Sequence, residues 1–215
     1  MTTVQTDARA LFRAAYENRY TWDENFPGYT ADVTYREGDK TYNAKCRINP
    51  DFTFDVFDIE DGEGKKAIHG QVWEIAVHRV RRAFEATHGE NTFTLGATDP
   101  DGSVELLVGG KGEGDRYKIR NNEVSLVHRH IHGVVVTINT FSSHDTGSGY
   151  LSHRYDSIYS DPKTGAVKGA RSEFEDLYEE IGGYYILTSR TIKTEQHTSE
   201  FSFANVRLLE PASVA

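Results

Sequence analysis

Residues 29–36, YTADVTYR, and residues 41–48, TYNAKCRI, decide the fold of this chain. In both stretches apolar and polar residues alternate, which is the period-two pattern of a β-strand with one buried and one wet face. The intervening Glu37-Gly38-Asp39 has turn composition, so the two stretches are predicted to form an antiparallel hairpin. Cys46 falls in the buried register of this hairpin, where we expect a small apolar core residue rather than a nucleophile.

Strand patterns continue along the chain after the hairpin. A third strand begins at Phe52, and further strands are predicted near residues 91–97, 103–108, 115–120, 123–131, 134–141, 150–160, 167–179, 184–194 and 199–209. Turns rich in glycine, asparagine and aspartate separate them. Strands joined by such short turns pair as antiparallel neighbours, so the sequence predicts one large antiparallel sheet.

Two segments follow helical periodicity instead. Residues 6–21 carry one apolar stripe and begin with Thr6 and Asp7, which are good N-cap types. Residues 66–87 are apolar around more than half of the helix circumference, which is typical of a helix that is buried on two sides or covers something apolar. Together with the strands, these segments predict an α+β fold in which the sheet packs on two helices.

Composition places the chain among globular proteins. The 215 residues are 37% hydrophobic and include 12 Tyr, 11 Phe and 2 Trp, which are too many aromatic residues for a disordered chain. No composition shift or long linker marks a domain boundary. We therefore predict a single domain over residues 1–215, with an ordered core of about residues 6–210.

Charge and cysteine content limit the partners and the compartment. A net charge of −9 repels phosphate backbones, so no nucleic acid partner is expected. No apolar run approaches the ~20 residues that a transmembrane helix needs. The N-terminus lacks the regions of a secretory signal, and Cys46 is the single cysteine, so we expect a cytoplasmic location. Peripheral contact with a membrane surface stays open, and the sequence identifies no partner protein.

The histidines of the strand at 123–131 are the strongest local peculiarity of the sequence. Because residues at i, i+2 and i+4 of a strand share a face, His128, His130 and His132 are candidate metal ligands, with His144 or His153 as a further ligand. One strand can offer only an i, i+2 pair to one ion, and His132 adjoins a turn. A polar, solvated sheet face is the favoured alternative. We therefore predict no metal site and no cofactor.

Three other segments contain the residue types of catalytic sites without the required arrangement. The run from Gly109 to Gly114 lacks the Gly-Lys-Ser/Thr of a phosphate-binding loop and is predicted to be a hairpin loop. Residues 142–145, SSHD, contain hydrolase residue types without a nucleophile elbow and are predicted to form a surface loop. The acids expected to face water are Glu173, Glu175, Asp176, Glu179 and Glu180. No catalytic residue is predicted, and a non-catalytic role is favoured.

Two resemblances add an expectation about architecture. Residues 16–29 and 128–151 resemble an uncharacterised family of cyanobacteria and plastids that is described as a domain of unknown function. More loosely, GYYIL at 183–187 and Phe-x-Phe-x-Asn-Val at 201–206 are similar to the final strands of lipoprotein carriers with the LolA-like fold. That second resemblance implies an antiparallel sheet curled into an incomplete, half-open barrel, with helices filling an apolar cavity.

An unclosed barrel must fill or bury its apolar concave face. The side chains expected to line that face come from the first hairpin, the connection before it and the second helix: Trp22, Phe26, Tyr29, Tyr35, Tyr42, Trp73, Val77, Val80 and Phe84. They predict a ligand-binding sleeve with a cavity on the order of 300 Å³ or more, in which tyrosine hydroxyls orient the ligand. A fully packed core is an alternative of at least equal weight.

The favoured function is a non-catalytic carrier or binding protein for an apolar small molecule, such as a lipid, an isoprenoid or a pigment. A protein–protein interaction domain that works by surface contact, for example as a dimer through an edge strand, is the first alternative. A metal-dependent enzyme that uses the histidine-rich strand is the second alternative.

Overall fold

The computed structural model describes residues 7–210, which form three α-helices and twelve β-strands. The helices are α1 (Ala8–Glu17), α2 (Glu63–Arg79) and α3 (Phe84–His88). Asp7 is the N-cap of α1, and its carboxylate accepts the backbone N–H of Arg9 at 2.9 Å. Thr6, the other predicted cap residue, lies outside the described residues.

The strands follow the predicted pattern closely. They are β1 (Tyr29–Glu37), β2 (Lys40–Ile48), β3 (Phe54–Phe57), β4 (Asn91–Thr98), β5 (Val104–Gly110), β6 (Arg116–Arg120), β7 (Glu123–Ile131), β8 (Val134–Asp145), β9 (Tyr150–Ser160), β10 (Val167–Ile181), β11 (Tyr184–Lys193) and β12 (Thr198–Leu208). Their order in the antiparallel sheet is β3-β2-β1-β12-β11-β10-β9-β8-β7-β6-β5-β4. Over residues 7–210 the edge strands β3 and β4 do not pair, so the sheet is not closed. The predicted α+β class with a large, incompletely closed antiparallel sheet is confirmed.

Several hairpins use two-residue turns in which both residues have positive φ. These turns are Asn121-Asn122, His132-Gly133 and Gly182-Gly183. Their geometry is of type I′, whose twist matches that of the flanking strands. His132 therefore lies in a turn beyond the end of β7, as its position in the sequence suggested.

The second helical segment is shorter than the predicted 66–87. The helix α2 ends at Arg79, because Val80 has extended backbone with φ −68° and ψ 125°. The carbonyl of Arg79 accepts a hydrogen bond from the backbone N–H of Trp22 at 3.0 Å. Helical structure resumes only at Phe84, in α3. The prediction of one continuous helix was wrong, and three helices replace the expected two.

Residues 142–145 are not the predicted surface loop. The strand β8 continues through them to Asp145, where Ser143 lies opposite Ser152 and His144 lies opposite Leu151. The pairing of β8 with β9 shifts register on both sides of Ser142, which marks a β-bulge. A continuation of β8 thus takes the place of the predicted loop, in a segment where polar residues face both sides of the sheet.

The chain divides into two compact units, and each is assembled from two separate stretches of sequence. The first unit contains residues up to Tyr20 and the range Arg82–Glu173. The second unit contains Thr21–Arg81 and the residues from Phe174 onward. The single domain expected from the sequence stays a prediction.

The core of the first unit forms where α1 and α3 meet the strands β4 to β7. Its buried members are Ala8, Phe12, Ala15, Tyr16, Phe84, Leu106, Val108, Tyr117, Ile119 and Val124. Phe12 lies at the centre, with its ring centroid 4.3 Å from that of Tyr117 and 5.0 Å from that of Phe93. This face of α1 is the apolar stripe seen in the sequence, so its burial supplies much of the stabilisation of this unit.

The core of the second unit forms where α2 packs on β1, β2 and β3. The helix buries Gly64, Ile68, Val72, Ile75 and Ala76. Opposite it, the alternation predicted for the first hairpin is confirmed: Tyr29, Ala31, Val33 and Tyr35 are buried on β1, and Ala44, Cys46 and Ile48 are buried on β2. Cys46 is fully buried, and burial raises the pKa of its thiol to about 12, as expected for an unreactive core residue.

Candidate ligand-binding site

Five aromatic side chains of the second unit form what we call the aromatic cluster: Trp22, Phe26, Tyr29, Phe52 and Tyr184. Trp22 and Phe26 stack with 4.0 Å between ring centroids. Tyr29 meets the ring of Trp22 edge-on at 5.9 Å. The indole N–H of Trp22 donates to the carbonyl of Tyr185 at 3.2 Å. Three of the predicted ligand-binding residues, Trp22, Phe26 and Tyr29, are therefore brought together, and all three are buried.

The hydroxyl of Tyr29 has no hydrogen-bond partner in the described part of the chain. The residue is 0% exposed. Burial raises the pKa of Tyr29 well above its ordinary value, Cys46 raises it further, and the charge of Arg79 lowers it. Leaving a buried hydroxyl unbonded costs about 1–3 kcal/mol. Nearly all buried polar atoms in folded proteins are bonded, so a group from a bound molecule is one explanation for this atom.

A second group of rings lies further along the same hairpin. Tyr35 stacks between Phe201 at 4.5 Å and Tyr42 at 5.5 Å, measured between ring centroids. The hydroxyl of Tyr35 donates to the carboxylate of Glu37 at 2.7 Å, so it is satisfied, and burial raises the pKa of Tyr35 to about 12. The first turn of α2 rests directly on Tyr42, because a Cβ on Gly64 would lie 2.3 Å from the Tyr42 ring. The helix therefore approaches this ring as closely as a glycine permits.

The remaining predicted ligand-binding residues are dispersed. Trp73 of α2 is 50% exposed, and Val77 and Val80 are half-buried. Phe84 belongs to the core of the first unit, where its ring centroid lies 5.9 Å from that of Phe12. It does not share a helix with Trp73, because α2 ends before it. The candidate site therefore consists of residues of the second unit.

Sequence reasoning missed a buried ion pair in the second unit. The guanidinium of Arg190 donates to the two carboxylate oxygens of Asp176 at 2.8 and 2.6 Å. The side chains are 9% and 1% exposed. Arg190 also donates to the amide oxygen of Gln71 in α2 at 2.9 Å, and Tyr178 donates to Asp176 at 3.2 Å. Burial raises the pKa of nearby Glu74, although the charge of Arg190 lowers it.

The prediction that Asp176 faces water was therefore wrong. On β10, residues two apart share a face, so Asp176 lies on the same side as Phe174 and Tyr178. Its neighbour Leu177 points to the opposite side and is 51% exposed. The aromatic residues on either side of Asp176 at period two were the sequence signal for its burial. Glu173, Glu179 and Glu180 are exposed as predicted, and Glu175 is half-buried.

Arg79, at the C-terminal end of α2, lies beside the aromatic cluster. Its carbonyl is held by the backbone N–H of Trp22 at 3.0 Å. Its guanidinium carbon lies 5.5 Å from the centroid of the Tyr178 ring, and Nη2 is 3.4 Å from the Tyr178 hydroxyl. The residue is half-buried. Among residues 7–210 no carboxylate forms an ion pair with it, in contrast to Arg190.

The two histidines of the histidine-rich strand β7, His128 and His130, form hydrogen bonds with different partners. Nδ1 of His128 lies 2.8 Å from the hydroxyl of Thr137, and Nδ1 of His130 lies 3.0 Å from the carboxylate of Asp115. Their ring centroids are 6.1 Å apart, so the expected i, i+2 pair exists. Across residues 7–210, no group of three or more His, Cys, Asp or Glu side chains is arranged to hold a metal ion.

The glycine run is a hairpin connection, as predicted. The strand β5 ends at Gly110, and β6 begins at Arg116. Lys111, at the start of the turn between them, pairs with Glu90 at 3.1 Å. None of the helices in residues 7–210 has the length and apolarity that crossing a membrane requires.

Comparison with known proteins assigns the family. Residues 3–209 match the family described as a protein of unknown function (DUF3386), and the chain belongs to that family. This confirms the resemblance to a family of unknown function. No curated protein matches the chain.

Two solved structures show a distant likeness. One is a DUF1329 family protein from Desulfovibrio piger, with 8% identity over 98% of this chain and 96% of that chain, at a TM-score of 0.29. The other is a domain described as an outer membrane lipoprotein-sorting protein from Vibrio parahaemolyticus, with 12% identity over 94% of this chain and 92% of that chain, at a TM-score of 0.30. TM-scores of this size do not establish a shared fold.

Proposed function

We propose that this protein is a non-catalytic binding or carrier protein for an apolar small molecule of the lipid, isoprenoid or pigment type. The ligand lies against the aromatic cluster in the second unit, beneath α2. The observation that carries the proposal is the hydroxyl of Tyr29, which is fully buried and has no partner in the described part of the chain. A ligand with one polar group completes that hydrogen bond.

The surroundings of Tyr29 support a ligand that is largely apolar. Sites for small molecules are lined mainly by hydrophobic and aromatic side chains, with few polar groups that fix the orientation. Trp22 and Phe26 supply flat apolar surface next to Tyr29, and Cys46 is a small buried neighbour. Since Cys46 is the single cysteine of the chain, a reducing compartment such as the cytoplasm is part of the proposal.

Native mass spectrometry of the gently purified protein tests the proposal. We expect the native mass to exceed the mass of the denatured chain. The difference should equal the mass of an organic molecule that can be extracted from the protein with organic solvent. A protein that carries no organic adduct and also binds neither a long-chain fatty acid nor a long-chain alcohol would contradict the proposal.

The variant Tyr29→Phe isolates the hydroxyl. Because that hydroxyl is unbonded in the free protein, its removal is expected to raise the free energy of unfolding by up to about 1–2 kcal/mol. The same variant should reduce the amount of bound molecule. The matched control is Tyr150→Phe in the first unit, whose hydroxyl accepts the backbone N–H of Val124 at 3.0 Å. That change should lower stability by about 1 kcal/mol without affecting the ligand. A destabilised Tyr29→Phe protein that keeps its ligand would refute the role of Tyr29.

A further inference from the structure

The proposed ligand has a polar end, and the groups beside Tyr29 indicate which chemistry that end has. Two polar groups of the second unit have no charged acceptor among residues 7–210. One is the Tyr29 hydroxyl, and the other is the guanidinium of Arg79. Both are hydrogen-bond donors, so a group that accepts two or more hydrogen bonds fits them best.

Arg79 is held next to the aromatic cluster by backbone geometry. Its carbonyl accepts the N–H of Trp22 at 3.0 Å, and the ring of Trp22 lies 5.9 Å from that of Tyr29. The charge of Arg79 also acts on Tyr29, since it favours the ionised form of that hydroxyl against the effect of burial. The guanidinium and the hydroxyl therefore belong to one electrostatic environment.

The contrast with Arg190 shows what Arg79 lacks. The guanidinium of Arg190 donates two hydrogen bonds to the two carboxylate oxygens of Asp176, at 2.8 and 2.6 Å. In the described chain, the guanidinium of Arg79 contacts the face of the Tyr178 ring and donates a long hydrogen bond of 3.4 Å to the Tyr178 hydroxyl. Within residues 7–210 no side-chain carboxylate pairs with it. A planar guanidinium binds a carboxylate through two parallel hydrogen bonds, which is the contact that Arg190 makes and Arg79 does not.

We propose that the ligand of the second unit is an amphiphile with a carboxylate head group, which the Arg79 guanidinium and the Tyr29 hydroxyl bind. This inference rests on the proposed function. The apolar chain of the ligand lies along Trp22 and Phe26. The carboxylate supplies the acceptor that the Tyr29 hydroxyl lacks and the anion with which Arg79 is not paired among residues 7–210. The fatty-acid class satisfies both requirements.

The test compares a long-chain fatty acid with the alcohol of the same chain length. Binding is measured on the full chain by fluorescence of the Trp73→Phe protein, in which Trp22 is the remaining tryptophan. Because hydrogen bonds to a charged group are strong, we expect the acid to bind about tenfold to a hundredfold more tightly than the alcohol. Replacing Arg79 with leucine should abolish that preference and leave the affinity for the alcohol unchanged.

Arg81→Leu is the matched control, because it removes the same charge from an exposed residue two positions further along. It should keep the preference for the acid. Arg79→Lys covers the case in which the leucine variant folds poorly. Lysine keeps the charge but lacks the planar guanidinium, so the preference of this variant for the acid over the alcohol should fall by about threefold to tenfold. Tyr29→Phe should weaken binding of the acid by about tenfold.

The outcomes separate this inference from the proposed function. Equal affinities of the wild-type protein for acid and alcohol would overturn the carboxylate assignment and leave the carrier function standing. Equal losses in Arg79→Leu and Arg81→Leu would overturn the role of Arg79, since only net charge would matter. Failure of both probes to bind would refute the carrier function itself.

Discussion

The two units bury their titratable groups in different surroundings. In the first unit, His88 is 3% exposed among the rings of Phe12, Tyr16 and Phe84, and no opposite charge is bonded to it in the described chain. In the second unit, Asp176 and Arg190 are buried side by side as an ion pair. The cluster of rings around Phe12 thus holds a neutral imidazole, whereas both members of the Asp176–Arg190 pair are buried. The first unit also buries the carboxylate of Asp156, but its partner Arg171 is 52% exposed.

Under the proposed function, the second unit binds the ligand, and the core of the first unit only packs. Buried charges and unbonded polar atoms are costly, and folded proteins tolerate them chiefly where function requires them. The second unit holds the ion pair, the unbonded hydroxyl of Tyr29 and the guanidinium of Arg79, which has no carboxylate partner among residues 7–210. In the first unit, Nε of Arg129 is also buried without a hydrogen bond, but the carboxylate of Asp115 lies 3.5 Å from it. The proposal therefore places the ligand in the second unit, where the unbonded hydroxyl of Tyr29 lies among the rings of the aromatic cluster.

The largest expected effect comes from breaking the buried ion pair. Asp176→Ala leaves the charge of Arg190 buried, with Gln71 as its remaining hydrogen-bond partner among those described above. We expect the free energy of unfolding to fall by about 3–5 kcal/mol. Urea unfolding followed by circular dichroism measures the loss. If the chain behaves as the predicted single domain, one transition shifts as a whole.

Arg171→Ala is the comparison for this change. Arg171 pairs with Asp156, which is 1% exposed, but Arg171 itself is 52% exposed. Asp156 also keeps the amide of Asn139 at 2.8 Å. Because Asp156 keeps this hydrogen bond and water can reach the position that Arg171 vacates, the loss should be smaller than in Asp176→Ala. Equal losses of stability in Asp176→Ala and Arg171→Ala would show that burying both partners of an ion pair, rather than one, makes no difference to its contribution.

The second prediction concerns the pH dependence of the first unit. The amide oxygen of Asn91 accepts the N–H of Gly112 at 2.9 Å, so its NH₂ group faces Nδ1 of His88 at 3.1 Å. That nitrogen must then be an acceptor, and the ring is neutral. Burial and, to a smaller extent, the charge of Arg129 lower the pKa of His88 to about 4.

The sign of the effect follows from this lowered pKa. Below pH about 6.5 the unfolded chain takes up a proton on His88, but the folded protein does so only near pH 4. The stability that the neutral ring contributes is complete above pH 6.5 and is lost as the pH falls toward 4. Replacing His88 with phenylalanine should remove about 2–3 kcal/mol of acid destabilisation over that range. His132→Asn, in an exposed turn, is the control and should leave the pH profile unchanged. Identical profiles for wild-type and His88→Phe would contradict the assignment.

The sequence was sufficient for most of the strands, because local rules determine them, although it missed the continuation of β8 through residues 142–145. The alternation of Tyr29, Ala31, Val33 and Tyr35 predicted both the strand and its buried face. Two-residue turns such as Gly182-Gly183 ended strands where the geometry requires positive φ. Three of the predicted ligand-binding residues meet in the aromatic cluster because the turn at residues 23–28 is short enough to keep them near one another.

The misses involve contacts between residues distant in sequence. The end of α2 at Arg79 has no proline or glycine beside it, and Trp22 supplies the hydrogen bond to its last carbonyl. Asp176 resembled a solvated acid because its partner Arg190 lies on the next strand. The helix break between Arg79 and Phe84, which places Phe84 in the first unit, also depends on tertiary packing. Hydrophobic periodicity along one segment does not reveal such packing.

The smallest expected effect tests how closely α2 is held on the sheet of the second unit. A Cβ on Gly64 would lie 2.3 Å from the ring of Tyr42, whereas a Cβ on Gly70 of the same helix would meet no atom within 4 Å. Gly64→Ala should therefore lower the free energy of unfolding by about 1–2 kcal/mol, because overpacking exceeds the gain in helix propensity. Gly70→Ala should raise it by about 0.5–1 kcal/mol, since only the propensity changes. Both values come from the same urea titrations. If both substitutions stabilise the protein equally, the Tyr42 ring moves aside at no cost. The contact between Gly64 and Tyr42 would then not limit how closely α2 packs on the sheet of the second unit.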